Sequence, residues 1–338
     1  MKIGTKDLTQ HVYIVAEVGG NHNGSPDAAY RMVEAAAKAG ADAVKFQTYH
    51  AETLVHPSLE PNPIVKKFYN TQLERFRSLE LSWEVYDRIV ALCAEHKIDF
   101  MTTPFDMTIL ERVAPWMPAI KIASGDLTYH QMINAAARHG KPVLVSTGMS
   151  TVDEIDAVTR LLPLEQLLLM HCVSVYPLPD EQANLRAITT IQQRWPQHLI
   201  GYSDHTVGED ACVAATALGA RILEKHFTLD TKQSPGDHSL SLDPAGMASL
   251  VKRVRRVERM LGDGVKAPMP GEEKMRINMR RGIYAARELR VGEILQEADL
   301  IFIRPQTDLR PDLSHLLVGR RVRRGLAKHT PLELRDVE

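Results

Sequence analysis

The chain has 338 residues, 44% of them apolar and 25% charged, with a formal net charge of −1. That length allows a large barrel with an appendage or two medium domains, and the composition excludes a disordered or bilayer-embedded protein. A charge near zero provides no global field to gather nucleic acid, so anion specificity must come from individual Lys and Arg side chains.

The N-terminal MKIGTKDLTQ has neither a long apolar stretch nor a small-residue cleavage site, and no apolar run later in the chain is long enough to cross a bilayer. A cytoplasmic protein without membrane contact is expected. Short β-branched or apolar runs predict strands at 12–19, 43–48, 99–105, 119–126, 142–148, 167–172, 199–205 and 221–227. Between them lie Ala- and Leu-rich segments such as DAAYRMVEAAAKAG and SWEVYDRIVALCAEHK, whose amphipathic period and terminal Gly or Lys predict helices. Eight βα units predict a closed (β/α)₈ TIM barrel, with a doubly wound open sheet as the alternative. The segment from Tyr49 to Leu81 is an enlarged connection after the second strand, of the kind that sits over active faces. Cys93, Cys172 and Cys212 are odd in number and each lies in an apolar stretch, which suits reduced core thiols. The basic run LVKRVRRVERM (250–260) reads as one solvated helix face, because Leu250, Val251, Val254, Val257 and Leu261 recur at helical spacing.

The barrel is therefore assigned to residues 1–262 and a linker rich in Gly, Pro and charge to 263–276. Residues 277–338 form a small β-rich module. In that module RELRVGEILQEADL (287–300) and RGLAKHTPLELRDV (324–337) form a pseudo-repeat, pairing Leu289 with Leu326, Leu295 with Leu332 and Asp299 with Asp336.

Barrel enzymes draw their reacting groups from the C-terminal ends of the strands. Here those ends carry Glu17 and residues 21–23, Lys45 and Gln47, Thr103 and Phe105, and Lys121, Ser124 and Asp126. They continue with Ser146 and Thr147, His171 with Ser174 and Tyr176, residues 203–205, and Lys225 with His226. Lys45 and Lys121 sit inside apolar runs, where an ammonium group needs either a neighbouring carboxylate, such as Glu17 or Asp126, or an anionic ligand. With Thr103, Ser124, Ser146 and Ser203 they form a lining suited to phosphate and carboxylate. His205 and His226 end adjacent strands beside Asp204, Glu224 and Asp237, a set that suits an open Mn²⁺, Fe²⁺ or Zn²⁺ site acting as a Lewis acid. No His-x-His ends the first strand, no Cys triplet is present, and neither a G-x-S-x-G elbow nor a dinucleotide fingerprint occurs.

The strings AEVGGNHNG, AVKFQT, TTPFD, KIASGDL, VSTGMST, HCVSVYP, GYSDHT and EKHFTLD, in that order, resemble the sialic acid synthase family, also called N-acetylneuraminate or nonulosonate synthases. GIYAARELRVGEIL through LRDV resembles the antifreeze-like (SAF, β-clip) domain that those synthases carry. The resemblance implies a C–C bond-forming transferase that condenses phosphoenolpyruvate with an N-acetylmannosamine-type amino sugar and water, releasing phosphate. It implies Mn²⁺, with Mg²⁺, Co²⁺ or Fe²⁺ as alternatives, on His205 and His226. Phosphoenolpyruvate would lie on Lys45, Thr103, Lys121, Ser124, Ser146 and Ser203. Gln47, Phe105, Ser174, Tyr176 and Asp237 would line the sugar and metal region, and Glu17, Asp126 and Lys121 would be the catalytic candidates.

The resemblance also implies a domain-swapped homodimer in which Arg281 (or Arg280) of NMRRGIYA contacts the sugar's N-acyl group. Departures from the family pattern are Val173 in place of Thr, Asp126 in place of Glu, PQTDLRP in place of a Pro-Gly turn, and His329 in place of Gly. The acceptor is N-acetylmannosamine by default, and a diacetamido-trideoxyhexose leading to legionaminic or pseudaminic acid is the alternative. A non-catalytic carbohydrate-binding barrel is the distant one.

Overall fold

Each apolar run forms a strand: β1 (Tyr13–Gly19), β2 (Ala43–Thr48), β3 (Asp99–Pro104), β4 (Ile120–Ile122), β5 (Val143–Ser146), β6 (Leu167–Cys172), β7 (Leu199–Asp204) and β8 (Ile222–His226). The computed structural model describes residues 1–61 and 65–338; the connection from Tyr49 to Leu81 therefore includes three positions outside the described residues. Parallel ladders join the strands in the order β3-β2-β1-β8-β7-β6-β5-β4, and β3 and β4 lie side by side. The result is a nearly closed TIM-type barrel, and the open-sheet alternative is set aside.

The helices are α1 (Pro26–Ala39), α2 (Ala51–Leu54), α3 (Gln72–Leu79), α4 (Trp83–His96), α5 (Met107–Val113), α6 (His130–Arg138), α7 (Val152–Thr159), α8 (Arg186–Arg194), α9 (Asp210–Ala217) and α10 (Pro244–Leu261). α1 shows why they form. Ser25 caps the N-terminus by accepting from the Ala28 N–H, Pro26 occupies the first turn, Met32, Val33 and Ala36 are buried, and Gly40 ends the helix at φ 88°. In α10 Met247, Leu250 and Val254 are buried, while Arg253 pairs with Glu209 and Asp210, and Arg255 with Asp42 and Glu258. The basic run is thus a charged outer face, as its spacing predicts, although Leu261 stays largely exposed.

The period of two along each strand sorts residues into two cores. Ile14, Ala16, Val44, Phe46, Phe100, Ile120, Ile122, Val143, Val145, Leu167, Leu169, Ile200, Tyr202 and Leu223 pack outward against the helices. Tyr13, Val15, Ala43, Met101, Ala119, Leu144, Leu168, Met170 and Ile222 fill the interior, where Ile3 and Leu8 of an N-terminal two-stranded hairpin join them. The inward series continues upward as Glu17, Lys45, Gln47, Thr103, Lys121, Ser146, Cys172, Ser203, Glu224 and His226, so the barrel is apolar below and polar above. The fourth strand stops at Ile122 rather than at residue 126, because Ser124–Asp126 turns into a 3₁₀ coil held by the Asp126 N–H on the Ala123 carbonyl at 3.0 Å.

Contacts divide the chain into two units, Met1–Gly262 and Asp263–Glu338. In the second, helix α11 (Glu273–Met279) begins inside the stretch assigned to a linker. Strands β9 (Gly282–Ala285) and β10 (Leu300–Ile303) pair antiparallel, over a core that includes Leu289, Leu295, Leu326 and Leu332. The pseudo-repeat is physical. Leu289 and Leu326 exchange backbone hydrogen bonds of 2.8 and 2.9 Å, and Asp299 and Asp336 close matching caps, each bound by the Arg twelve residues earlier, Arg287 and Arg324. His329, at φ 66°, holds the left-handed position that Gly292 fills in the first repeat at φ 87°.

On the outer face of the barrel top, Lys225 and Asp204 are fully buried and pair at 2.8 Å. Tyr202, Thr206 and Cys212 satisfy the remaining carboxylate positions. Removing one partner strands a buried charge, so Lys225→Met should lower the unfolding free energy of the barrel by about 3–5 kcal/mol, read from the urea midpoint. Asp204→Leu combined with Lys225→Met should recover much of that loss.

Candidate functional site: the barrel mouth

A cavity of about 370 Å³ opens at the C-terminal ends of the strands. It is lined by Glu17, Lys45, Gln47, Thr103, Phe105, Lys121, Ser124, Ser146, Ser174, Tyr176, Ser203, His205 and His226, all of which the sequence singled out, together with Cys172, Met149 and Glu224.

The two ammonium groups have different partners. Lys45 Nζ lies 2.7 Å from Glu17 Oε2, 3.6 Å from Glu224 Oε2 and 3.1 Å from Thr103 Oγ1. Burial works against its charge, but Glu17 and Glu224 outweigh burial and hold the Lys45 pKa above its usual value. Lys121, only 2% exposed, has no carboxylate partner at bonding distance among the described residues and donates to the Ile122 carbonyl at 3.0 Å. Burial lowers its pKa. The pairing foreseen as an alternative therefore holds for Lys45 with Glu17, whereas Lys121 interacts with Glu224 only through space and forms no carboxylate bond among the described residues.

The two carboxylates are driven apart. Burial pushes Glu17 well above the ordinary carboxylate range, against the pull of Lys45. For Glu224 burial acts in the same direction, but Lys121 and Lys45 overcome it and hold the group ionised. Glu224 also accepts from Ser203 Oγ at 3.1 Å, and Glu17 accepts from Gln47 Nε2 at 3.1 Å. Glu224 entered the sequence analysis only as a neighbour of the histidines. The signal was available, since a carboxylate inside the apolar strand RILEKHF has the same oddity as Lys45.

Several lining atoms are buried without a hydrogen-bond partner among the described residues, notably Ser146 Oγ, Ser174 Oγ and His226 Nδ1. Buried polar groups are normally satisfied, so these are places for a ligand to complete. Ser174 and Ser124 can approach each other only across Gly148, where a Cβ would stand 2.3 Å from Ser174 Oγ and 2.8 Å from Ser124 Oγ. The Gly148 N–H donates to Ser124 Oγ at 3.0 Å.

The imidazoles of His205 and His226 lie with ring centroids 5.3 Å apart. Burial lowers both pKa values to about 4, so both rings are neutral, the form in which imidazole ligates metal. His205 Nδ1 donates to the Val173 carbonyl at 2.7 Å, which leaves Nε2 with the lone pair. Because that contact is to backbone, the Val173 side chain does not affect it. Among the described residues no group of three or more His, Cys, Asp or Glu is placed to hold an ion. Two neutral nitrogen donors, with Asp237 Oδ2 at 3.8 Å from His226 Nδ1, fit a divalent ion whose other ligands are water or substrate oxygens.

Two singled-out barrel residues, Asp237 and Asp126, are not among the lining of this cavity, and Arg281 belongs to the second unit. Asp237 lines an adjoining cavity with Gln47, Tyr176 and His226; Asn21 positions its loop by accepting from the Asp237 N–H at 3.1 Å. Asp126, in the 3₁₀ turn, is not among the cavity's lining residues. Arg281, in the second unit, donates to the Phe302 carbonyl at 2.8 Å. Cys172 corrects a simpler expectation: Cys93 and Cys212 are core thiols, whereas Cys172 faces into the mouth, 3.9 Å from His205 Nδ1.

The chain belongs to the NeuB family of synthases: residues 32–266 match that family and residues 280–338 match the SAF domain. It is 37% identical to an N,N'-diacetyllegionaminic acid synthase of Legionella pneumophila, over 96% of this chain and 94% of the relative. It is 33% identical to a pseudaminic acid synthase of Campylobacter jejuni, over 96% of each. The crystal structure of an N-acetylneuraminic acid (sialic acid) synthetase of Leptospira borgpetersenii, in complex with citrate, superposes with a TM-score of 0.72 at 30% identity, covering 81% of this chain and 94% of that one. The chain is thus a member of the nonulosonic acid synthase family. Among the described residues no helix is long and apolar enough to cross a membrane.

The raised pKa of Glu17 gives a direct test. Below that pKa the carboxyl is neutral and the cavity holds an extra net positive charge; above it the charge is lost. Affinity for sulfate, measured by calorimetry from about pH 5 to 9, should therefore fall as pH rises through the raised pKa of Glu17. Glu17→Gln should remove that step.

Proposed function

We propose that the chain condenses phosphoenolpyruvate with an open-chain N-acetylmannosamine-type sugar. C3 of phosphoenolpyruvate forms the new bond to the aldehyde carbon, whose oxygen takes up a proton. Water adds at C2 and gives up a proton, and the C2–O bond to phosphate breaks, leaving a nonulosonic acid and inorganic phosphate. The observation that carries this reading is the pairing in one cavity of two buried ammonium groups and unpartnered hydroxyls with two neutral imidazoles.

In this reading Lys45, Lys121, Thr103, Ser124, Ser146 and Ser203 hold the carboxylate and phosphate of phosphoenolpyruvate. Their donors are preorganised and dry, so they stabilise the phosphate as charge builds on it. His205 and His226 would hold a divalent ion, Mn²⁺ by preference, which when bound polarises the aldehyde carbonyl. Glu17 is assigned the proton transfer in preference to Asp126: its raised pKa suits a group that both takes and returns a proton, and it lines the cavity. Glu224 stays ionised and keeps Lys45 charged. Gln47, Phe105, Tyr176 and Asp237 position the sugar. The homodimer and the contact of Arg281 with the sugar's N-acyl group remain part of the proposal.

Purified protein incubated with Mn²⁺, phosphoenolpyruvate and a panel of N-acylated amino sugars should release phosphate in step with the loss of phosphoenolpyruvate. His205→Ala and His226→Ala should bind Mn²⁺ more weakly by equilibrium dialysis and lower the rate by about 10²–10³-fold. Folded, metal-loaded protein that releases no phosphate with any acceptor would sink this reading in favour of a non-catalytic carbohydrate-binding barrel.

A further inference from the structure

Helix α3, in the enlarged connection after β2, presents at the mouth a cation, Arg75, that forms no salt bridge with any described residue. The helix is firmly seated. Thr71 caps it through the Glu74 N–H, and Leu73 and Leu79 are buried beneath it. The Phe76 ring meets Tyr49 edge-on at 5.1 Å, and Tyr49 meets Phe105 at 6.0 Å, so an aromatic chain runs from α3 to the wall of the main cavity. Arg77 pairs with Glu52 at 2.6 Å. Arg75 has no such partner among the described residues; it is half-buried, its guanidinium carbon 5.6 Å from the centre of the Phe76 ring.

Arg75 lines a side cavity of about 210 Å³ with Val65, Phe76 and Asp237, and with Gln47, Tyr176 and His226, which also line the main cavity. The side cavity is thus the continuation of the mouth beyond His226. A planar, always-charged donor without a direct protein partner is free to donate to an oxygen acceptor of the ligand. Two features say which kind. The Asp237 carboxylate shares the same small space, so a phosphate dianion would meet repulsion with one guanidinium to offset it. Val65 and Phe76 supply an apolar wall, which a bare hydroxyl end would leave uncovered.

We infer that Arg75 is the specificity determinant for the acceptor's far end, receiving the carbonyl oxygen of a second acylamino group while Val65 and Phe76 cover its alkyl part. The substrate class is then a diacylamino hexose rather than a singly acylated one. This rests on the condensing reading above.

The test is kcat and KM, from phosphate release, for a diacetamido-trideoxyhexose, N-acetylmannosamine and its 6-phosphate, in the wild type and in Arg75→Met, which keeps the stem packed on Phe76. The wild type should favour the diacetamido sugar over both others by about tenfold or more in kcat/KM. In Arg75→Met that ratio should collapse toward one through the acceptor KM, while the KM for phosphoenolpyruvate moves much less. A preference that survives the substitution, a wild-type preference for the phosphorylated sugar, or an equal loss on all acceptors and on phosphoenolpyruvate would each overturn the inference. Absence of phosphate release from the wild type with every acceptor defeats the synthase reading itself; release with a preference independent of Arg75 defeats this inference alone.

Discussion

Four ionisable groups, Lys45, Glu17, Glu224 and Lys121, stand inside one barrel with almost no access to water, and the chemistry of the mouth follows from how they share charge. Withdrawing each ion from water costs several kcal/mol, which only close partners offset. Lys45 lies directly between two carboxylates, whereas Lys121 meets Glu224 only through space. That asymmetry leaves a positive, desolvated point in the cavity, and it also separates the two carboxylates into one that protonates readily and one that stays ionised.

The barrel gives this cluster rigidity. Strands β1, β2, β4 and β8 each contribute one member, and the ladders β2-β1-β8 bind three of the four strands directly. Just outside the wall the buried Lys225–Asp204 pair joins the ends of β7 and β8. The residues that follow in sequence, His205 and His226, face inward. A charge pair on one face thus sits directly behind two imidazoles on the other, and the separation of the rings depends on strand ends that are pinned by hydrogen bonds rather than left as loops.

The less regular parts supply selectivity. The connection that carries α3 adds Phe76 and Arg75 to a mouth otherwise built from strand ends, and the loop around Asp237 is tied to Asn21 after β1. In the second unit, duplication of one short motif gives two caps closed by Asp299 and Asp336 and two leucine pairs over a shared core. The same local rule, applied twice, stabilises a module too small to bury much by a single hydrophobic layer.

Much of this was legible in the residues. Eight apolar runs alternating with amphipathic segments specify a parallel barrel because each run can bury both faces only between helices and a filled interior. Lys45 and Lys121 announced a site because an ammonium group within an apolar run demands an anion. What the sequence could not decide was facing and termination. His171, Lys225, Asp204 and Cys172 all lie at strand ends, yet the period of two sends the first three outward and Cys172 inward, and a one-residue difference in where a strand begins reverses that choice. KIASGD continues an apolar run and predicts a strand through Asp126, but the chain coils at Ser124 and takes the carboxylate off the cavity wall. Arg75 carried no signal at all, since its neighbours in space come from β2, β8 and two loops. The sequence by itself determined which residue types exist to hold charge and which segments become strands. Only the tertiary structure decided which charges meet, because a Coulomb interaction depends on a distance of a few ångströms that no linear spacing across separate strands encodes.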